Sequence, residues 1–372
     1  MKRFKFKKIK FLNVNRKKKT TETIDLFGER VSSSIGRTLV ACFAIIGFFY
    51  AAPILVNFAT QEIFSNEFQN DSRKIMVYKL NGKEDQITID KNEAFDEKDL
   101  LSDILTLNDL DTESVRLSAS TISQLFEDTN YSLDDVRTNK LVRPVALTWL
   151  PNEIKKIENT KKRKNFFIQI VLPLILEENN NIKLDRLKLF TIINKNNNTK
   201  LEKKWLNQKF KQYGVLSKDL STLKIRMDEI PTSLAIAQAA KETGWGTSRF
   251  ALEGNALFGQ WTWSGAGLKP KDAEKDQGHK VMKFNVLQAS VRAYQRNLNT
   301  HSSYRDFRKA RAKLRDEGVE LDSIILSEYL DKYAETGQKY VETLKKIIYQ
   351  NKLKDFDDAK LLPSSKKLES LI

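Results

Sequence analysis

Residues 228–261 read DEIPTSLAIAQAAKETGWGTSRFALEGNALFGQW, and this stretch decides the fold. Pro231 suits the first turn of a helix, and the small apolar residues after it predict a tightly packed helix that ends at Gly244. Glu242 then falls in the last turn, where the negative end of the helix dipole disfavours the ionised carboxylate. Trp245 can exclude solvent from the same carboxyl group. Both effects predict an acid that keeps its proton near neutral pH, although a solvated glutamate without a role fits the same spacing.

The composition of the chain narrows the class of protein. The 372 residues include 64 Lys and Arg against 48 Asp and Glu, and 40% of all residues are apolar, which excludes a wholly disordered chain. The single cysteine excludes an intrachain disulfide and a multi-cysteine metal site. The two histidines, His279 and His301, are too few for most zinc hydrolases. We therefore expect no metal and no cofactor.

The first sixty residues have the pattern of a membrane anchor. Residues 1–37 hold 12 basic and 3 acidic side chains, and the next 24 residues carry no charge. An apolar run of this length can cross a bilayer, whereas the apolar core of a cleaved signal peptide is usually shorter. The positive-inside rule then predicts a cytoplasmic basic segment and an extracytoplasmic remainder. Because topology explains the basic residues, we expect no nucleic-acid partner.

The sequence between this anchor and Asp228 predicts secondary structure but contains no candidate catalytic residue. Asn81-Gly82 indicates a β-hairpin, and the acidic stretch 93–113 suggests a short helix. The apolar run after Lys164 is interrupted by Gln169 and Pro173 and is too short to cross a membrane, so a buried helix is predicted. Asparagines at 179–181 and 196–198 predict turns. A set of residues at helical spacing is expected in the core rather than at a ligand: Trp205, Leu206, Phe210 and Tyr213.

Residues 230–259, IPTSLAIAQAAKETGWGTSRFALEGNALFG, resemble the core motif of the bacterial N-acetylglucosaminidases of glycoside hydrolase family seventy-three, in particular the Bax-type subgroup. That pattern is an Ala-rich helix, then Glu-Ser/Thr-Gly-Trp-Gly, then Asn-x-Leu-Phe-Gly. Further similar runs follow in order, including NLNTHSSY at 297–304 and YAETGQKY at 333–340. The resemblance covers roughly residues 117–353.

The resemblance implies a mainly α fold, with a lysozyme-like α domain and a small β lobe, and a substrate in the glycan strands of peptidoglycan. The bond cut would be the β-1,4 link after N-acetylglucosamine. Glu242 matches the general acid of the family, and Tyr333 matches a tyrosine in its cleft. The residues expected to bind substrate or to shape the site behind the acid are Trp245, Asn255, Phe258, Trp261 and Tyr340; Trp263 and Phe284 are further aromatic candidates, and Phe284 equally fits the core.

One feature departs from the usual pair of glycosidase carboxylates. The β-lobe stretch GLKPKDAEKDQGHKVMKF offers Glu274 and Asp276, with Asp272 nearby, as candidates for the second acid. Spacing singles out none of them, and a solvated charged hairpin is the favoured interpretation for each. A route assisted by the substrate's own acetamido group needs no protein nucleophile, so the stereochemical outcome stays open.

Three functions remain in competition. The first is a peptidoglycan glucosaminidase held in the bacterial inner membrane by a single pass, with its catalytic domain in the periplasm. The second is a non-catalytic cell-wall-binding protein, and the third is a lytic transglycosylase. The predicted segments are a basic cytoplasmic segment 1–37, a transmembrane anchor 38–60, an acidic stalk 61–116, a helical region 117–220, a catalytic domain 221–353 and a polar tail 354–372.

Overall fold

The chain is mainly helical in its computed structural model, which describes residues 97–108, 115–262, 267–268 and 280–363. The helices are α1 (Glu97–Asn108), α2 (Ala119–Asp128), α3 (Leu133–Asn139), α4 (Thr160–Ile193), α5 (Lys200–Gln212), α6 (Leu220–Arg226), α7 (Thr232–Thr243), α8 (Arg249–Gly254), α9 (Leu287–Thr300), α10 (Arg305–Asp316), α11 (Ser323–Ser327) and α12 (Gln338–Gln350). Short 3-10 helices cover Asn152–Lys156, Ser302–Tyr304, Glu328–Tyr333 and Leu353–Phe356.

Two small sheets accompany the helices. Strand β1 (Leu141–Val142) pairs in parallel with β5 (Lys360–Leu361), which fastens the C-terminal part of the described chain to its N-terminal part. The second sheet follows α8 and has the order β2-β4-β3, with β2 (Trp261–Thr262), β3 (Gly267–Leu268) and β4 (Lys280–Met282) antiparallel to their neighbours. It agrees with the small β lobe expected from the sequence.

Helix α4 runs through the middle of the core. Its apolar stretch is buried, as predicted, and it contains Pro173. The turn predicted at 179–181 is wrong, because the helix continues to Ile193. The Asn179 amide is buried and finds tertiary partners: it donates to the Ile230 carbonyl at 2.8 Å and accepts from Gln295 Nε2 at 2.8 Å. These bonds replace the local backbone bonds that make asparagine favour turns.

One hydrophobic cluster contains residues from both the helical region 117–220 and the catalytic domain 221–353 predicted from the sequence. It includes Phe167 of α4, Leu234 of α7, Tyr294 of α9 and Leu344 of α12, all fully buried or nearly so. A second cluster contains Phe210 and Tyr213 with Leu189 and Met227, and Trp205 and Leu206 pack against it. The predicted core role of Phe210 and Tyr213 is confirmed, and Trp205 and Leu206 lie partly buried at the edge of the same cluster.

Helix α1 belongs to the same packed structure. Its Ile104 lies in a cluster with Phe284 and Ala289, so Phe284 is a core residue. Arg296 donates to the Leu100 carbonyl at 2.8 Å and to the Asp103 carboxylate at 2.9 Å. The short helix expected in the acidic stretch is thus confirmed, while the hairpin predicted around Asn81-Gly82 lies outside the described residues.

The predicted transmembrane anchor, 38–60, also lies outside the described residues. Among the residues that the structure does describe, no helix is both long and apolar enough to cross a bilayer.

The helix that carries Glu242 forms where the sequence predicts it. Helix α7 begins after Pro231 and is closed by Gly244, which has a left-handed φ of 57°. The backbone N–H and the hydroxyl of Ser233 both donate to the Asp357 carboxylate at 2.7 Å, which satisfies an otherwise unpaired amide of the first turn. Four buried alanines, Ala235, Ala237, Ala239 and Ala240, together with Leu234 and Ile236, pack this helix into the core.

Gly246 marks the tightest point of the loop after α7. Its φ is +81°, and a Cβ there would lie 2.9 Å from side-chain atoms of both Ile154 and Phe167. We expect Gly246→Ala to lower the free energy of unfolding by about 2–4 kcal/mol, because left-handed strain and overpacking add. Gly318→Ala is the matched control: its φ is +68° but no atom lies within 4 Å, so strain alone predicts about 1 kcal/mol. Urea unfolding of the two variants measures the difference, and equal losses would contradict the packing argument.

Candidate active site

Glu242 lies in the last turn of α7 with its side chain partly buried. Burial raises the pKa of its carboxyl group, and this outweighs the opposing effects of a hydrogen bond with Tyr340 and of the Lys241 charge. The direction of the pKa shift is the one predicted from the sequence. An acid of this kind can deliver a proton to a leaving-group oxygen.

A cluster of tyrosines surrounds the carboxyl group. The Tyr340 hydroxyl shares a hydrogen bond with Glu242 that lowers the pKa of the carboxyl group, while burial and the Glu242 charge raise the pKa of the Tyr340 hydroxyl. The Tyr340 ring stacks on the Tyr333 ring with centroids 5.4 Å apart. The Tyr304 ring lies on Tyr333 as well, with centroids 5.9 Å apart. The backbone of Gly259 also lies close to the carboxyl group. The φ of Gly259 is +60°, and a Cβ there would lie 3.3 Å from Glu242 Oε2. The carboxyl group is thus enclosed by aromatic rings and backbone.

Gln238 connects this cluster to the helix. It lies one turn before Glu242 on α7 and is fully buried. Its Nε2 donates to the Tyr340 hydroxyl at 3.1 Å, and its Oε1 accepts from the Tyr294 hydroxyl at 2.7 Å. Because the Tyr340 oxygen accepts from Gln238, its own proton is free to be donated to Glu242. Sequence reasoning missed Gln238, although a polar amide inside an apolar helix four residues before the acid was the available signal.

Tyr333 ends the 3-10 helix Glu328–Tyr333 and is partly buried. Its hydroxyl donates to the Phe258 carbonyl at 3.0 Å. The Phe258 ring in turn stacks on Tyr294, with centroids 3.8 Å apart. The structure therefore brings Tyr333, Tyr340 and Phe258 together around Glu242. Glu335, two residues further on, is exposed.

Asn255 holds the backbone behind the site. Its φ of 50° ends α8, and its Nδ2 donates to the Thr148 and Phe284 carbonyls, each at 3.2 Å. The side chain is fully buried, so it acts on the shape of the loop before Phe258. Its Oδ1 has no hydrogen-bond partner among the described residues.

Trp245 lies in the turn that closes α7. It follows Gly244 and precedes Gly246, and all three residues have left-handed φ values of 57°, 62° and 81°. This turn directs the Trp245 ring onto Phe167, edge-on at 6.0 Å, and Lys164 Nζ lies 4.8 Å above the ring. That Trp245 binds substrate and excludes solvent from Glu242 stays a prediction.

Of the remaining candidate residues, two lie in the described part of the chain, Trp261 and His301. Trp261 begins strand β2. Trp263, Glu274, Asp276, Asp272 and His279 lie outside the described residues. His301 follows α9, and its Nδ1 accepts from the Ser303 N–H at 3.3 Å, which confirms a local structural bond. No group of three or more His, Cys, Asp or Glu side chains suited to a metal ion occurs within the described ranges.

Comparisons with known proteins identify the family of the chain. Residues 221–353 match the family model described as mannosyl-glycoprotein endo-beta-N-acetylglucosaminidase. Protein bax of Escherichia coli (strain K12) is 32% identical over 194 residues, which are 50% of this chain and 69% of that protein. The chain belongs to the glucosaminidase family. Membership confirms the expected enzyme class, a glycoside hydrolase that degrades peptidoglycan.

A solved structure is also similar to this glucosaminidase. The catalytic domain of the autolysin Auto from Listeria monocytogenes is 20% identical, over 47% of this chain and 97% of that chain, with a TM-score of 0.28. A TM-score this low adds nothing to the family assignment.

The Tyr340 hydrogen bond predicts a change in the pH dependence of hydrolysis. This bond favours the ionised carboxylate and so lowers the pKa of Glu242, against the larger effect of burial. Tyr340→Phe removes the bond and should raise that pKa further. Since a general acid loses activity as the pH rises through its pKa, the alkaline limb of the kcat/KM profile should move to higher pH. Tyr131→Phe is the control, because its buried hydroxyl bonds to the remote Gln169 carbonyl. An unmoved limb in Tyr340→Phe would contradict the assignment.

Proposed function

We propose that the chain is an N-acetylglucosaminidase that cleaves the β-1,4 bond after N-acetylglucosamine in peptidoglycan glycan strands, with Glu242 as the general acid. The observation that carries this proposal is the partly buried carboxyl group with a raised pKa, at the end of α7, hydrogen-bonded to Tyr340. The protonated carboxyl donates to the glycosidic oxygen as the bond from that oxygen to the sugar C1 breaks. Tyr340 then stabilises the carboxylate that forms, so the bond strengthens as the reaction proceeds.

Tyr333 is proposed to act on the other side of the reacting sugar. Because its hydroxyl proton is donated to the Phe258 carbonyl, the Tyr333 oxygen can only accept a hydrogen bond from the substrate or from water. An acetamido N–H and an attacking water both offer such a proton. This favours a substrate-assisted route, in which the acetamido oxygen attacks C1 and water later opens the intermediate. Glu274 or Asp276 as a second carboxylate is the alternative.

Product analysis tests the proposal. Purified sacculi are digested with the chain, and the released fragments are reduced and examined by mass spectrometry. The proposal expects a reducing N-acetylglucosamine end. An anhydro-muramyl end would instead identify a lytic transglycosylase, which also works with one acidic residue, and the absence of product would identify a wall-binding protein.

We further propose that residues 38–60 anchor the chain in the bacterial inner membrane and that the catalytic region is periplasmic. The support is the uncharged run after 12 basic residues. Fusions after residue 120 should be active with a reporter that needs export and inactive with a cytoplasmic one. The reverse pattern would overturn the topology, and a mature N-terminus mapped near Ala59 would show a cleaved signal instead.

A further inference from the structure

A basic surface lies beside the loop that follows Glu242. It is formed by five lysines from the 3-10 helix Asn152–Lys156 and from the first two turns of α4: Lys155, Lys156, Lys161, Lys162 and Lys164. Four of them are exposed, and Lys164 is partly buried. The acidic residues in the same stretch are Glu153 and Glu158, so the surface carries a net positive charge.

The elements that carry the basic surface contact the loop that follows Glu242, residues 244–246. Ile154, next to Lys155, and Phe167, one turn after Lys164, enclose Gly246: a Cβ at Gly246 would lie 2.9 Å from each side chain. Lys164 Nζ lies 4.8 Å above the Trp245 ring, and Trp245 is three residues from Glu242. The cations are therefore fixed to the segment that closes the catalytic helix.

Lys164 contacts the Trp245 ring, but none of these lysines forms an ion pair that would stabilise the described part of the fold. Ion pairs hold many other surface lysines, such as Lys195 with Glu202 and Lys354 with Asp322. None of the five lysines has a carboxylate within ion-pair distance in the part of the chain that the structure describes. Lysines in the first turn of a helix also oppose its dipole, because the positive end lies there. Charges that do not stabilise the fold are available for a partner.

We propose that the basic surface binds the carboxylates of peptide-bearing glycan strands and so holds the strand whose bond lies at Glu242. This inference rests on the proposed function. A strand of peptidoglycan carries lactyl and stem-peptide carboxylates at intervals along a neutral sugar backbone. Lysine ammonium groups on flexible stems pair with such carboxylates as point charges without demanding one geometry. The surface selects substituted strands over neutral ones, and its contribution falls with added salt.

The test compares two triple variants on two substrates. Lys161, Lys162 and Lys164 are changed to Gln in one variant, and the exposed Lys200, Lys203 and Lys204 of α5 are changed to Gln in the control. KM and kcat are measured on peptide-bearing strands and on a neutral N-acetylglucosamine oligomer, at low and high salt. The first variant should raise KM for peptide-bearing strands about tenfold at low salt, since three exposed pairs together are worth about one decade. Its kcat, and its KM on the neutral oligomer, should match the wild type.

Three results would overturn the inference. One is an equal rise in KM on both substrates, and another is the same rise in the α5 control. The third is an unchanged KM on strands together with lost binding to vesicles that contain anionic phospholipid, which would make a membrane the partner. Failure of the proposed function looks different, because the wild type would then hydrolyse neither substrate. Sedimentation of the variants with peptide-bearing strands would still measure the basic surface in that case.

Discussion

Glu242→Gln is expected to lower turnover on purified sacculi by about 10²–10⁴-fold, the usual contribution of a positioned general acid. Glutamine keeps the shape of the side chain and can still accept from the Tyr340 hydroxyl, but it cannot deliver a proton to the glycosidic oxygen. Stability should therefore change by less than about 1 kcal/mol, and the variant should still sediment with sacculi.

Glu335→Gln is the matched control for this prediction. Glu335 lies two residues from Tyr333, is exposed, and carries the same functional group. Its neutralisation should leave turnover close to that of the wild type. Near-normal turnover by Glu242→Gln would remove Glu242 from the chemistry, and a comparable loss in Glu335→Gln would move the acid to the Tyr333 segment.

Asp228→Asn is expected to lower the free energy of unfolding by about 3–5 kcal/mol, as breaking a buried ion pair does. The Asp228 carboxylate is buried and lies 3.1 Å from Arg315 Nη2, with Arg186 and the fully buried Arg311 at 3.8 Å. Burial alone would raise the pKa of Asp228, but the three guanidinium groups outweigh it and hold the pKa below its usual range. The variant leaves these cations without their shared anion.

The pH dependence of this loss follows from the sign of the shift. Because the folded pKa is depressed, the stabilisation is present above the pKa of an unfolded aspartate, about 3.9, and is lost as the pH falls below that value. Urea unfolding should thus separate wild type and Asp228→Asn widely at neutral pH and less in acid. Asp358→Asn is the control, because its exposed pair with Lys140 at 3.1 Å should contribute at most about 1 kcal/mol. Equal losses in the two variants would contradict the argument from burial.

The sequence predicted the catalytic helix well because its signals are local. Pro231 at the start, Gly244 at the end and small residues between them define α7 within one segment. The position of Glu242 in the last turn followed from that segment alone, whereas the raised pKa of Glu242 also depends on burial by tertiary contacts. The buried α4 and the core role of Phe210 and Tyr213 followed from helical spacing in the same way.

The partners of Glu242 were beyond the reach of local signals. Gln238 bonds to Tyr294, 56 residues away, and to Tyr340, 102 residues away, and no spacing in the chain announces either contact. The contact of the Trp245 ring with Phe167 of α4 is likewise one that no local signal announces.

The difference between local and tertiary contacts also explains why the turn predicted at 179–181 is wrong. Asparagine favours turns through bonds to nearby backbone, but Asn179 bonds to Ile230, 51 residues on, and to Gln295, 116 residues on, and stays helical. The sequence by itself determined helix α7, the position of Glu242 in its last turn and the family. Tertiary structure alone decided what surrounds the Glu242 carboxyl group, because desolvation and hydrogen bonding depend on groups that are adjacent in space and distant along the chain.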